Sequence, residues 1–196
     1  MKKNFAIVIS LIFIFSILFN NQVYADQNET YSALQIDNTN FSYRRWGRPV
    51  GFRELAEGEN VSPFIYNGSV MLPMRAVIEI IPVDGPPAFR VEWHDSERRA
   101  VIVASGLDGV VPLAEFWIGR TTAVYYDDYG RNPRQVTIAN APVIINGRTY
   151  LPLRAVVDAF SSREIEWVPS KQGIVVYWTG LRPQTVTFPD RSTIEF

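Results

Sequence analysis

The 196 residues contain no cysteine, and histidine occurs once, as His94. Thiol nucleophiles, disulfides, thiolate-held zinc and iron–sulfur clusters are excluded because the sulfur atom is missing. A His-rich metal centre lacks its imidazoles. Lysine is almost absent too: beyond Lys2 and Lys3 only Lys171 remains, so nearly all positive charge sits on arginine, which favours fixed, forked ion pairs. A formal net charge of −1 offers no basic footprint for nucleic acid. The serines have no Gly-x-Ser-x-Gly elbow and one histidine to draw on. What is present is apolar and aromatic, 47% and 13% of the chain, which excludes disordered and collagen-like classes.

The first residues read as an export signal. Lys2 and Lys3 precede an apolar run, Phe5 to Phe19, broken only by Ser10 and Ser16, and Val23 and Ala25 suit positions −3 and −1 of a cleavage site. Fifteen helical residues cover roughly 22 Å, short of the ~30 Å hydrocarbon core. Residues 1–25 are therefore expected to be a cleaved signal peptide, with no membrane span left afterwards. The remainder carries 17 basic against 20 acidic residues. The expected location is secreted and extracellular, with association at the cell wall. Residues 26–40 are polar and read as a flexible segment.

An internal repeat organises the rest. Residues 63–77 read PFIYNGSVMLPMRAV and residues 142–156 read PVIINGRTYLPLRAV, with nine of fifteen positions identical at an offset of 79. The likeness resumes at an offset of 74, where Val91-Glu92-Trp93 matches Ile165-Glu166-Trp167, so the first copy carries five extra residues within 82–90. In each copy a short β-run meets Asn67-Gly68 or Asn146-Gly147, the dipeptide of a type I′ hairpin turn. The returning strand runs into Pro73 or Pro152, which suits the first turn of a helix. Apolar residues at Ala76, Val77, Ile80 and Ile81, and at Ala155, Val156, Ala159 and Phe160, then predict a helix of two to three turns with one sticky face. A β-hairpin follows. Further strands are expected at Glu115–Ile118, Thr121–Tyr126 and Gln135–Ala139, with a weaker echo at Phe41–Trp46. The fold class expected is α+β: two repeated units, 41–104 and 113–178, each a small antiparallel β-sheet packed around one short α-helix. The tail, 179–196, alternates at Val186 and Phe188 and is expected to add an edge strand.

The combination Pro-x-Ile-x-Asn-Gly, Leu-Pro-x-Arg-Ala-Val and a later [Val/Ile]-Glu-Trp resembles the copper amine oxidase N-terminal-like, or stalk, domain family over about 63–178. That resemblance implies an accessory domain of exported Gram-positive proteins, not the oxidase itself. A copper site of that kind needs three histidines and its quinone an Asn-Tyr tyrosine. This chain has one histidine and no Asn-Tyr, so no enzyme activity and no cofactor are expected. The function expected is a secreted, non-catalytic stalk or interaction module of the bacterial cell envelope, associating with an envelope protein or the wall. The alternative is a module that binds wall glycan through exposed Trp and Tyr.

The repeated polar and aromatic positions are read as structural. Arg75 and Arg154, which oppose the helix dipole, are expected to pair with Glu92 and Glu166 or with hairpin carbonyls. Trp93 and Trp167 are expected to pack under the helix, at the usual cost of a buried aromatic if truncated. The unrepeated Trp117, Tyr125, Tyr126, Tyr129 and Trp178 are the candidates for a ligand-stacking face. His94 reads as a surface or turn residue, because the second copy has Val168 there. Asp127-Asp128 reads as a solvated loop, lacking the spacing of a calcium site. Oligomeric state is not legible.

Overall fold

The computed structural model describes residues 29–46, 48–82, 89–106, 109–127 and 130–196. The expected signal peptide lies outside them. Strands β1 (Tyr31–Gln35), β2 (Asn40–Arg44) and β3 (Gly51–Glu54) lead into a hairpin of β4 (Phe64–Tyr66) and β5 (Ser69–Pro73). A one-turn helix, Ala76–Glu79, and a second hairpin of β6 (Phe89–His94) and β7 (Arg99–Gly106) follow. The order then recurs as β8 (Gly109–Trp117), β9 (Thr122–Tyr125), β10 (Arg134–Thr137), β11 (Val143–Ile145) and β12 (Arg148–Pro152). A second helix, Leu153–Asp158, and the hairpin β13 (Arg163–Val168) and β14 (Gly173–Trp178) complete it, and β15 (Thr185–Thr187) and β16 (Thr193–Glu195) close the chain.

Among the described residues the protein is mostly β: strand makes up 50% and helix 10%. The expected α+β arrangement of two units, each built round its own helix, is thereby overturned. Of the apolar pairs that predicted two to three helical turns, Ala76-Val77 and Ala155-Val156 lie in the helices, but Ile80-Ile81 and Ala159-Phe160 fall beyond them. Ile80 and Ile81 sit in the turn after Glu79, where Pro82 disfavours helical backbone at Ile81. Pro73 and Pro152 end strands β5 and β12 and do not open helices; Pro152 has extended backbone at φ −65°, ψ 118°.

The sheets also cross the expected unit boundaries. One five-stranded antiparallel sheet has the order β13-β14-β1-β2-β3 and the other β6-β7-β8-β9-β10, so each joins the last hairpin of one copy to three strands of another part of the chain. Equivalent backbone bonds recur around the two sheets. Ile36 donates to Gln172 (2.9 Å) and Ile118 to Arg98 (3.0 Å); Asp37 donates to Pro63 (3.0 Å) and Gly119 to Pro142 (2.9 Å). Leu55 donates to Thr39 (2.7 Å) and Ile138 to Thr121 (2.8 Å). Between them a four-stranded sheet, β11-β12-β5-β4, pairs the two Asn-Gly hairpins. Its central register sets Leu151 opposite Leu72, with Tyr150 opposite Pro73 and Pro152 opposite Met71. Since 72 and 151 are the same position of the repeat, a pseudo-two-fold axis passes between those leucines.

The segment expected to be loose corrects most sharply. Tyr31–Gln35 is the middle strand of its sheet, bonded to β14 on one side and β2 on the other, and Tyr31 to Leu34 are buried. Its alternation splits two cores: Leu34 joins the main cluster with Phe41, Ile174 and Val176, while Tyr31 and Ala33 join Val175, Tyr177, Val186 and Phe188 on the far face. The tail adds no edge strand to either large sheet. Its two strands pair only with each other and lie over that far face.

Candidate functional site

Both residues of each Asn-Gly turn have positive φ: Asn67 48°, Gly68 78°, Asn146 50° and Gly147 76°. That is type I′ geometry, whose twist matches the strands it joins. Because β5 pairs with β12, each turn faces the chain that enters the other copy's helix, and two related grooves result. The first is bounded by Gly68, Ser69 and Val70, by Leu153 and Arg154, and by Trp167. The second is bounded by Gly147, Arg148 and Thr149, by Met74 and Arg75, and by Trp93. Each holds about 620 Å³.

Their chemistry differs. In the second groove Arg75 Nη1 donates to Glu59 Oε1 (2.9 Å), Arg148 Nε lies 4.0 Å from Glu59 Oε2, and the Trp93 indole N–H donates to Asp95 (3.3 Å). In the first groove Arg154 donates, among the described residues, only to the Ile165 carbonyl (3.2 Å). Arg134, over the Tyr125 ring at 5.5 Å, makes no ion pair among the described residues. Asp158 lines the same groove without a hydrogen-bond partner among the described residues; burial raises its pKa against the opposing pull of Arg154. Two local differences account for this. The connector before β4 spans nine residues, 55–63, and carries Glu59, whereas that before β11 spans five, 138–142, and lines the first groove with Ala139. Asp95 is matched by Pro169, which has no side-chain acceptor.

The expected partners of the repeated arginines are corrected accordingly. Glu92 pairs with Arg90 (2.6 Å) and Glu166 with Arg182 (2.6 Å), not with Arg75 or Arg154. Trp167 is corrected as well: it is 39% exposed, not core. It shares a strand face with Ile165, which does reach the core. A six-residue helix is about 9 Å long, too short to cover a strand of roughly 20 Å, so the indole projects beyond it. Trp93 packs partly against the main core.

Four of the five unrepeated aromatics lie among the described residues, and these four do not assemble into one face. Tyr125 is buried and its hydroxyl donates to the Ala155 carbonyl (2.5 Å). Tyr126 donates to Glu115 (2.6 Å), which also binds Arg99. Trp117 lies between Arg99 and Arg120, whose guanidinium carbons are 5.7 and 5.9 Å from its ring. Trp178 belongs to the other large sheet, under Arg163. Tyr129 lies outside the described residues. His94 ends β6, and Asp127 accepts bonds from Arg131 N (2.7 Å) and Asn132 (2.8 Å) of its own loop. No group of three His, Asp or Glu suited to a metal occurs among the described residues.

Tyr126 gives a pH test. Its bond to Glu115, more than burial, pushes the phenol up to about 12, whereas an unfolded tyrosine ionises near ~10. The folded state then holds this proton more tightly, so the stability it contributes is complete below pH ~10 and is lost as pH rises toward ~12. Tyr126→Phe is expected to flatten the fall in melting temperature across that window. An unchanged slope would count against the bond.

The described residues thus form a mostly β structure of two interleaved motifs with two related grooves. The chain is a member of the copper amine oxidase N-terminal domain family, whose model matches residues 55–176, and that domain is non-catalytic. Neither the curated proteins nor the solved structures contain a match to it.

Proposed function

We propose that the protein is a secreted, non-catalytic interaction module of the Gram-positive cell envelope that associates with an envelope protein or with the wall. Membership of a non-catalytic domain family supports the absence of chemistry, and the leader-like segment, residues 1–25, supports export. The observation that carries the reading is the first groove. A large indole stands 39% exposed beside Arg134 and Arg154, which make no ion pair among the described residues and outnumber the one carboxylate of the groove, Asp158. Exposed aromatic and arginine side chains in a pocket are the composition of binding hot spots, and they add nothing evident to the core. The glycan alternative as first framed, with Trp117, Tyr125, Tyr126 and Trp178 on one face, has no such face to use.

The test is fractionation of the full chain expressed in a Gram-positive host, followed by co-sedimentation of the purified protein with purified wall sacculi. The expected result is recovery outside the membrane-enclosed fraction and sedimentation with the sacculi. Retention in the cytosol, or a protein that stays in the supernatant with wall and with envelope protein extracts alike, would overturn the proposal.

A further inference from the structure

We infer that the groove around Trp167 binds an acidic sugar unit, with the pyranose ring on the indole and its carboxylate between Arg134 and Arg154. The inference rests on the envelope reading and gives that reading a site and a ligand class. A sugar ring presents an apolar C–H face and a polar edge. The groove is divided in the same way: Val70, Val136 and Ile165 join Trp167 along its apolar part, and Arg134, Arg154 and Asp158 supply its charges. Its volume of about 620 Å³ falls within the span of small-molecule sites, roughly 300–1,000 Å³.

Charge decides the kind of sugar. Two guanidinium groups against one carboxylate leave the groove net positive, and a planar guanidinium is the natural fork for a carboxylate. Asp158, which has no hydrogen-bond partner among the described residues, is an acceptor for ring hydroxyls. It would repel the carboxylate-rich side chains of an acidic peptide. The related groove serves as an internal control. It has equal volume, a tryptophan and two arginines, but Glu59 occupies the arginines and Asp95 the indole N–H. A ligand there must displace ion pairs already made, whereas in the Trp167 groove the arginines make no ion pair among the described residues and Arg154 holds a single bond to the Ile165 carbonyl.

The probes are the disaccharide of N-acetylglucosamine and N-acetylmuramic acid, neutral di-N-acetylchitobiose and a hexaglutamate peptide, titrated calorimetrically into the full chain. The acidic disaccharide is expected to bind about tenfold more tightly than chitobiose, and Trp167→Ala to weaken it by about tenfold or more, the loss usual for an aromatic hot spot. Arg134→Gln with Arg154→Gln is expected to bring the two sugars level. Trp93→Ala, in the control groove, is expected to leave affinity within about threefold. Because Trp167 is exposed, its variant is expected to keep the parent circular dichroism spectrum. Equal binding of chitobiose or hexaglutamate, indifference to Trp167→Ala, or equal sensitivity to Trp93→Ala would each overturn the inference. If no sugar binds while the parent still sediments with sacculi, the groove is wrong and the envelope module stands; if both are lost, both fall.

Discussion

Phe188→Ala is expected to lower the free energy of unfolding by about 3–5 kcal/mol, whereas Trp167→Ala is expected to lower it by less than about 1 kcal/mol. Urea denaturation of the two variants beside the parent measures both. Phe188 is fully buried, although it lies in a tail of low apolar content. It packs with Tyr31, Ala33, Val168, Val175, Tyr177 and Val186 beneath the outer face of the β1–β14 pair. Polar bonds hold it there: the Thr187 N–H donates to the Tyr31 hydroxyl (3.0 Å) and the Ser42 hydroxyl donates to the Thr187 carbonyl (2.5 Å). Space is tight, since a Cβ at Gly173 would stand 2.4 Å from the Phe188 ring, so the ring is wedged against backbone and its removal leaves a cavity that β14 cannot close. The tail is thus what makes one large sheet buried on both faces. A small loss for Phe188→Ala, or a large one for Trp167→Ala, would reverse the assignment of core and surface on this sheet.

The local elements were legible where one residue type has one reason to be there. Asn67-Gly68 and Asn146-Gly147 announce positive φ, and β-branched runs such as Ile174-Val175-Val176 announce strands. Helix length was over-read because Ile80, Ile81 and Phe160 continue the apolar spacing past the last helical residue; burial in a turn produces the same pattern. Tyr31–Gln35 escaped notice because it is short and lies between polar stretches, and its central place comes from β14, more than 130 residues away. Pairing between distant segments leaves no mark in local periodicity. The same holds for the grooves. Repetition singles out Arg75, Arg154, Trp93 and Trp167 as a set, but a strand face shared with Ile165 cannot show that the helix stops short of Trp167. Glu59, which separates the two grooves chemically, sits in a connector four residues longer than its counterpart in the second copy, so a comparison of the copies passes over it.

The axis itself is open to a direct test. Leu72→Ala and Leu151→Ala are each expected to cost about 2–5 kcal/mol, because both side chains are fully buried in the main core. They stand directly opposite on neighbouring antiparallel strands, so each is part of the other's packing surface. Once one is truncated, the second has already lost a neighbour, and its own removal costs less. The double variant is therefore expected to fall short of the summed single losses by about 0.5–3 kcal/mol, the coupling seen between residues in contact. Strict additivity would mean that the leucines do not touch and that the four-stranded sheet is not where the two motifs join. A coupling of the expected size places the joint at the one position where the repeat meets itself. It also explains why this leucine is shared by both copies while the connectors around it have diverged: a residue on the axis packs against its own equivalent, and a change in either copy is felt by both.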